Sequence, residues 1–202
     1  MNTLRKSVAA GMMICIGATI YLVSENKVIG AFMFSIGLFT ICFFGMFLFT
    51  GKIGYVIDSR NDPNCALIWL GNFIGGGVSA LLIRIAKPQL FETASQLMEK
   101  KLSQNPIATM ILSFFCGVLM YVAVENYRSN KNDVAKIVGI FLCVPTFILA
   151  GFEHSIANMC YAVFGVSNLA DGFHSLWYIL LVSVFNGLGA IVVRALSREK
   201  NG

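Results

Sequence analysis

The sequence predicts an all-α integral membrane protein: six transmembrane helices in two inverted three-helix repeats, with helices 2 and 5 broken. Three observations predict it. The first is composition, with 57% hydrophobic and 12% charged residues and a mean hydropathy of +0.75. Soluble domains carry about 25% charged residues. The second is a set of six apolar stretches, each at or beyond the roughly 20 residues that span a bilayer. The third is that two of these stretches are overlong and interrupted near their middles.

In chain order the predicted spans are Lys6–Val23, Val28–Ile57, Ala66–Ile85, Pro106–Glu125, Val134–Val166 and Phe173–Ala195. The run from Ser7 to Val23 lacks a small-residue cleavage pattern, so it reads as a span and not as a removable signal. The second span contains Gly45, Thr50, Gly51, Lys52 and Gly54. The fifth contains Pro145, Gly151, Glu153, His154 and Asn158. Spans three and six both carry Asn-x-x-Gly, as Asn72 to Gly75 and Asn186 to Gly189. Each half thus has a simple helix, a broken helix and a helix with this motif. Three spans per half force opposite topologies, the inverted repeat of many transporters and channels. The asparagines and neighbouring small residues suit close helix approach and hydrogen bonding between helices.

The chain reads as a single transmembrane channel domain over 1–202, with repeat one at about 6–86, an external linker at about 87–103 and repeat two at about 104–196. Orientation follows from the lysines and arginines. Arg5, Lys6, Lys52, Arg60, Arg128, Lys131, Lys136, Arg194, Arg198 and Lys200 fall on one side; Lys27, Arg84, Lys87, Lys100 and Lys101 fall on the other. This asymmetry predicts both termini in the cytoplasm of a multi-pass protein of the cell membrane. The net charge of +5 is spread over loop ends and gives no basic face for nucleic acid. In the linker, Leu90, Phe91, Ala94, Leu97 and Met98 form an apolar face expected to lie on the membrane surface.

The ionisable residues Glu153 and His154 lie inside the apolar stretch Ile137 to Phe164. Such groups cost roughly 2.5–3.5 kcal/mol on insertion scales, and a chain that keeps them usually lines a pathway with them. Irregular backbone at that depth must be buried in protein or face water. Downstream half-helices are expected to start near Gly51 and Ser155. Two such starts aimed inward, with free N–H groups and positive dipole ends, favour a small anion. His154 is the leading candidate side chain, because a neutral buried imidazole has an N–H to donate. Its alternative role is to be satisfied by backbone at the break. Glu153 is expected to be structural, accepting N–H groups at the break. Asn158, one turn beyond His154, either orients the imidazole or pins the half-helix. Thr50 is taken as the counterpart of His154 in the first half, facing it across the pore or capping its own half-helix. Gly151 and Gly51 are read as structural at the breaks. Lys52 either snorkels or pairs with an acid.

Cys15, Cys42, Cys65, Cys116, Cys143 and Cys160 form no CxxC pair and read as small buried hydrophobes, with no metal, redox or cofactor site. The chain offers no nucleophile–base pair or metal cluster, so an enzyme is not expected.

Gly151-Phe152-Glu153-His154-Ser155-Ile156-Ala157-Asn158-Met159 resembles the signature of the formate/nitrite transporter family. Gly71-Asn72 with Gly75 resembles its third-helix motif, and Leu48-Phe49-Thr50 the loop that breaks its second helix. The resemblance runs from about Gly11 to Ala195. It implies an aquaporin-like protomer with its own pore, assembled as a homopentamer in the bilayer, passing small monovalent anions such as formate, nitrite, hydrosulfide, acetate or lactate. It implies that His154 is the central pore histidine and Thr50 the loop threonine facing it. It implies an inner apolar constriction at Phe34 and Phe147 with Leu38 nearby, and an outer one at Leu48, Phe49 and Met120. Lys101 would be a vestibule lysine that draws in anions. Gly117 departs from the pattern: it stands where formate channels of the family carry a pore asparagine. The short termini depart too, and make gating by a long amino-terminal helix unexpected. The readings to compare are therefore an anion channel with proton involvement at His154, a hydrosulfide channel, and a channel for small neutral solutes.

Overall fold

The computed structural model describes residues 2–58 and 64–197. Arg60, Arg198 and Lys200, used above for orientation, lie outside the described residues. The described chain is helical throughout: α1 (Asn2–Val23), α2 (Lys27–Phe43), α3 (Phe49–Lys52) running into a 3-10 turn (Ile53–Ile57), α4 (Cys65–Ala86), α5 (Leu90–Leu102), α6 (Pro106–Ser129), α7 (Asp133–Leu149), α8 (Ser155–Gly165) and α9 (Leu169–Ser197). Four helices begin at an asparagine whose side chain accepts backbone N–H groups of the first turn: Asn26, Asn64, Asn105 and Asn132. Each satisfies donors the helix cannot satisfy itself. Pro106 follows Asn105 at the first helical position, where its missing N–H costs nothing.

The same local structure occurs twice. α2 and α7 each end in a glycine with positive φ, Gly45 at 60° and Gly151 at 71°. Beyond each glycine the chain turns back on the helix it leaves. Met46 N–H donates to the Ile41 carbonyl at 2.9 Å, and Phe152 N–H to the Phe147 carbonyl at 2.8 Å. These are Schellman closures, which need a left-handed residue after the helix. Three residues past each glycine a new helix is capped, at Leu48 and at His154.

This register corrects three expectations. The first new helix starts at Phe49 and not near Gly51; the second starts at Ser155 as predicted. The counterpart of His154 by position is Leu48, not Thr50. Pro145 interrupts nothing, since α7 runs through it to Leu149.

α1 packs chiefly on α4, and α6 on α9; α2 lies between α1 and α7. α8 threads among α1, α4, α5 and α9, and eight of its residues from Ser155 to Ala162 are all buried. The first pair closes through Gly11, where a Cβ would stand 2.2 Å from the Asn72 carbonyl oxygen. The second closes through Gly117, where it would stand 2.0 Å from the Asn186 carbonyl oxygen. Gly117 is therefore a packing residue on the α6–α9 contact, and no larger side chain fits there without separating the helices. The reading of Gly117 as a pore position is corrected.

Several polar residues are buried in the apolar core while large apolar residues cover the outer surface. Thr50, Asn72, Ser113 and Asn186 are fully buried, while Ile85, Ile107 and Trp177 are 66–72% exposed. That inversion suits a protein whose outer solvent is lipid. Four helices, α1, α4, α6 and α9, are long and apolar enough to cross a membrane. α5 departs from expectation: Leu90, Ala94 and Met98 are buried, packed mainly toward α8. Its apolar face meets protein, because Gly165 lets the α5 backbone approach α8 closely.

Candidate functional site

The two interruptions are tied together at His154. Its Nε2 lies 2.9 Å from Thr50 Oγ1, with both residues buried. Its Nδ1 accepts the Ala157 N–H at 3.3 Å, so His154 is itself the cap of α8. With Nδ1 accepting, the proton of a neutral ring sits on Nε2 and is donated to the threonine hydroxyl. The Thr50 hydroxyl keeps its own proton to give elsewhere.

Each interruption is pinned by one asparagine. Asn72 Oδ1 accepts the Phe49 N–H at 2.8 Å, while its Nδ2 donates to the Phe47 and Ser7 carbonyls at 2.9 and 2.8 Å. Asn186 Oδ1 accepts the Ser155 N–H at 2.9 Å, while its Nδ2 donates to the Glu153 and Ser113 carbonyls at 2.8 and 2.7 Å. These side chains do hydrogen-bond between helices, as the sequence suggested, but their partners are the interruptions themselves. The first donor of each new helix is thereby occupied. The expectation that free N–H groups at both starts attract the anion is weakened accordingly.

Glu153 accepts from Lys101 Nζ at 2.5 Å and from Asn158 Nδ2 at 3.0 Å. It takes side-chain donors and not the backbone N–H groups expected of it. Asn158 thus pins the carboxylate and does not touch the imidazole. Lys101 reaches inward to this pair with its side chain 15% exposed. The Lys101 charge is placed beside the site but partly neutralised.

A cavity of about 330 Å³ leads to this cluster, lined by Lys101, Phe34, Phe147, Glu153, His154 and Asn158 among others. The Phe34 and Phe147 rings meet edge to face at 6.1 Å, and Phe147 lies 5.5 Å from the imidazole. A second cavity, about 280 Å³, is lined by Leu48, Gly51, Lys52 and Arg128 among others. So Phe34 and Phe147 stand on the Lys101 side and Leu48 on the Lys52 side. Phe49 lines neither of these cavities and borders an apolar groove with Trp69 and Leu180. Leu38 and Met120 are buried within the core.

Comparison with known proteins gives the family and the fold. Residues 1–198 match the formate/nitrite transporter family. The formate channel FocA of Haemophilus influenzae is 26% identical over 155 residues, covering 70% of this chain and 55% of that protein. The uncharacterized transporter YwcJ of Bacillus subtilis is 29% identical over 154 residues, covering 70% and 59%. The chain thus spans a little over half the length of these relatives. A solved structure, a pentameric formate channel with formate bound, superposes with a TM-score of 0.77 at 22% identity, covering 96% of this chain and 94% of that one. The helical fold is the one that solved structure has. The chain belongs to the formate/nitrite transporter family.

Proposed function

We propose that the chain forms a homopentamer in the cytoplasmic membrane, with both termini cytoplasmic, in which each protomer passes small monovalent anions such as formate or nitrite. In this reading α2 with α3, and α7 with α8, are the broken spans of two inverted three-helix repeats, and the pore runs between the two cavities. The supporting observation is the Thr50–His154 hydrogen bond: His154 lines the cavity of Phe34 and Phe147, and Thr50 lies in the chain between Leu48 and Gly51, which line the other.

The mechanism follows from the cost of burial. A bare anion loses its hydration on entering an apolar ring, while its neutral acid loses much less. Lys101 concentrates anions at one mouth, and the Phe34–Phe147 pair excludes water. At the centre the Thr50 hydroxyl meets the solute, backed by the imidazole N–H; the ring takes up a second proton from vestibule water at Nδ1, and one proton passes from Nε2 through the hydroxyl to the anion, leaving the ring neutral. The solute then crosses as the acid and gives the proton up beyond the opposite constriction. Gly117 packs against α9, so its small side chain gives no support to a hydrosulfide-specific pore.

Flux through the full chain in proteoliposomes tests the proposal. Formate and nitrite should enter faster at pH 5 than at pH 8, and His154→Asn should flatten that dependence. Equal, proton-independent currents at both pH values, unchanged in the variant, would sink it.

A further inference from the structure

Lys52 has no part in the arrangement above. It closes α3, two residues after Thr50, and borders the cavity on the Leu48 side. The charged residues lining that cavity are both cations, Lys52 and Arg128. Among the described residues Lys52 makes no ion pair with a carboxylate. Glu125, the acidic group acting on it, is engaged by Tyr55, Arg128 and Arg194.

Aromatic rings hold Lys52 instead. Its Nζ stands 5.1 Å from the Phe47 ring centre and 5.7 Å from that of Tyr55. Lys6 shares the Phe47 ring at 5.1 Å, and Arg128 lies over Tyr55 at 4.5 Å. A ring face orders a cation without cancelling its charge. Lys101, by contrast, is paired with Glu153. The ammonium at position 52 is thus the less neutralised of the two and stands directly beside a constriction. Low-dielectric walls around it focus its field on whatever enters.

We propose that Lys52 and Arg128 form a binding subsite for a small monovalent anion at the mouth opposite Lys101, so that solute is collected at both ends of the conduit. This rests on the pore reading given above.

The test is a charge series in the full chain reconstituted at low ionic strength: wild type, Lys52→Arg, Lys52→Gln and Lys52→Glu. Formate flux is measured against formate concentration. Lys52→Arg should match wild type. Lys52→Gln should lower flux at sub-saturating formate by on the order of tenfold, and Lys52→Glu by more. Added gluconate salt should shrink the differences, since screening acts on exposed charge. A Gln variant equal to wild type at low salt overturns the subsite while leaving the pore reading intact. Should Lys52→Glu not assemble, the Arg against Gln comparison still decides. Wild-type vesicles that pass neither formate nor nitrite would sink the pore reading instead. The subsite is then read from the thermal upshift that formate gives the purified protein: loss of the upshift in Lys52→Gln supports it, and an equal upshift overturns it.

Discussion

His154 Nε2 and Thr50 Oγ1 stand 2.9 Å apart although 104 positions separate the residues in the chain. That bond joins two interruptions of the same local form, each begun by a left-handed glycine and each ended by a capped helix. The imidazole does two jobs there: one nitrogen caps α8 and the other meets the threonine. Predictions follow from separating such paired roles.

Asparagine is among the best helix caps. His154→Asn should therefore keep α8 in place and lose only the titratable ring. The expected outcome is a folded, assembled protein, by size exclusion and melting temperature, whose formate flux no longer rises on acidification. Thr50→Val keeps the volume and removes the hydroxyl. It leaves a buried imidazole N–H without its acceptor, a cost of about 1–3 kcal/mol. Its melting temperature should fall, and its flux should fall at every pH.

Asn72 and Asn186 each hold three buried backbone groups. Asn72→Ala removes the partners of the Phe49 N–H and the Phe47 carbonyl, and Asn186→Ala those of the Ser155 N–H and the Glu153 carbonyl; the Ser7 and Ser113 carbonyls keep their helical bonds. Each stranded buried group costs about 1–3 kcal/mol, so either variant should lose several kcal/mol. Thermal unfolding in detergent checks this. Equal losses from the two variants would match their equivalent bonding, and an Asp at either position should rescue little, since a carboxylate cannot donate to the carbonyls.

Gly117→Asn would restore the pore asparagine if position 117 faced the conduit. With a Cβ 2.0 Å from the Asn186 carbonyl oxygen, it should instead force α6 from α9. Overpacking of this kind costs typically about 1–3 kcal/mol and here acts on backbone that cannot move alone. Poor expression or a lowered melting temperature is expected, with no gain in formate selectivity. Gly77→Ala is the control, because its Cβ would meet only Val163 Cγ2 at 3.9 Å.

The Lys101–Glu153 pair is buried on the glutamate side, with side-chain exposures of 15% and 4%. Lys101→Met leaves the carboxylate without its cation, with the neutral donors Asn158 and Tyr178 beside it. Breaking one partner of a buried pair costs about 3–5 kcal/mol, and the cost falls when both charges go. Lys101→Met with Glu153→Gln should therefore be more stable than Lys101→Met alone. A double-mutant cycle on melting temperature measures the coupling.

Much of the architecture was legible along the chain. The four unbroken spans appear as helices within a few residues of their predicted bounds, because a run of apolar residues long enough to cross a bilayer has few other folds open to it. Both interruptions were visible as glycines beside polar residues in overlong spans. One repeated signal went unread: Ser7-x-x-x-Gly11 recurs as Ser113-x-x-x-Gly117, and both motifs seat the asparagines on α4 and α9. Matching those spacings would have aligned His154 with Leu48 and not with Thr50.

By itself, then, the sequence determined the family, the helical content and the helix ends beside Gly45 and Gly151. Composition and local dihedral preference suffice for the last two, since they act over a few neighbouring positions. Only the tertiary structure decided which groups meet: that Thr50 faces His154, that Lys101 and Asn158 share Glu153, that Gly117 serves a helix contact, and that Phe34 and Leu48 stand on opposite sides. Those pairings depend on rotation and close approach of distant helices, and a shift of one residue in register turns a side chain by about 100°, from conduit to core or lipid.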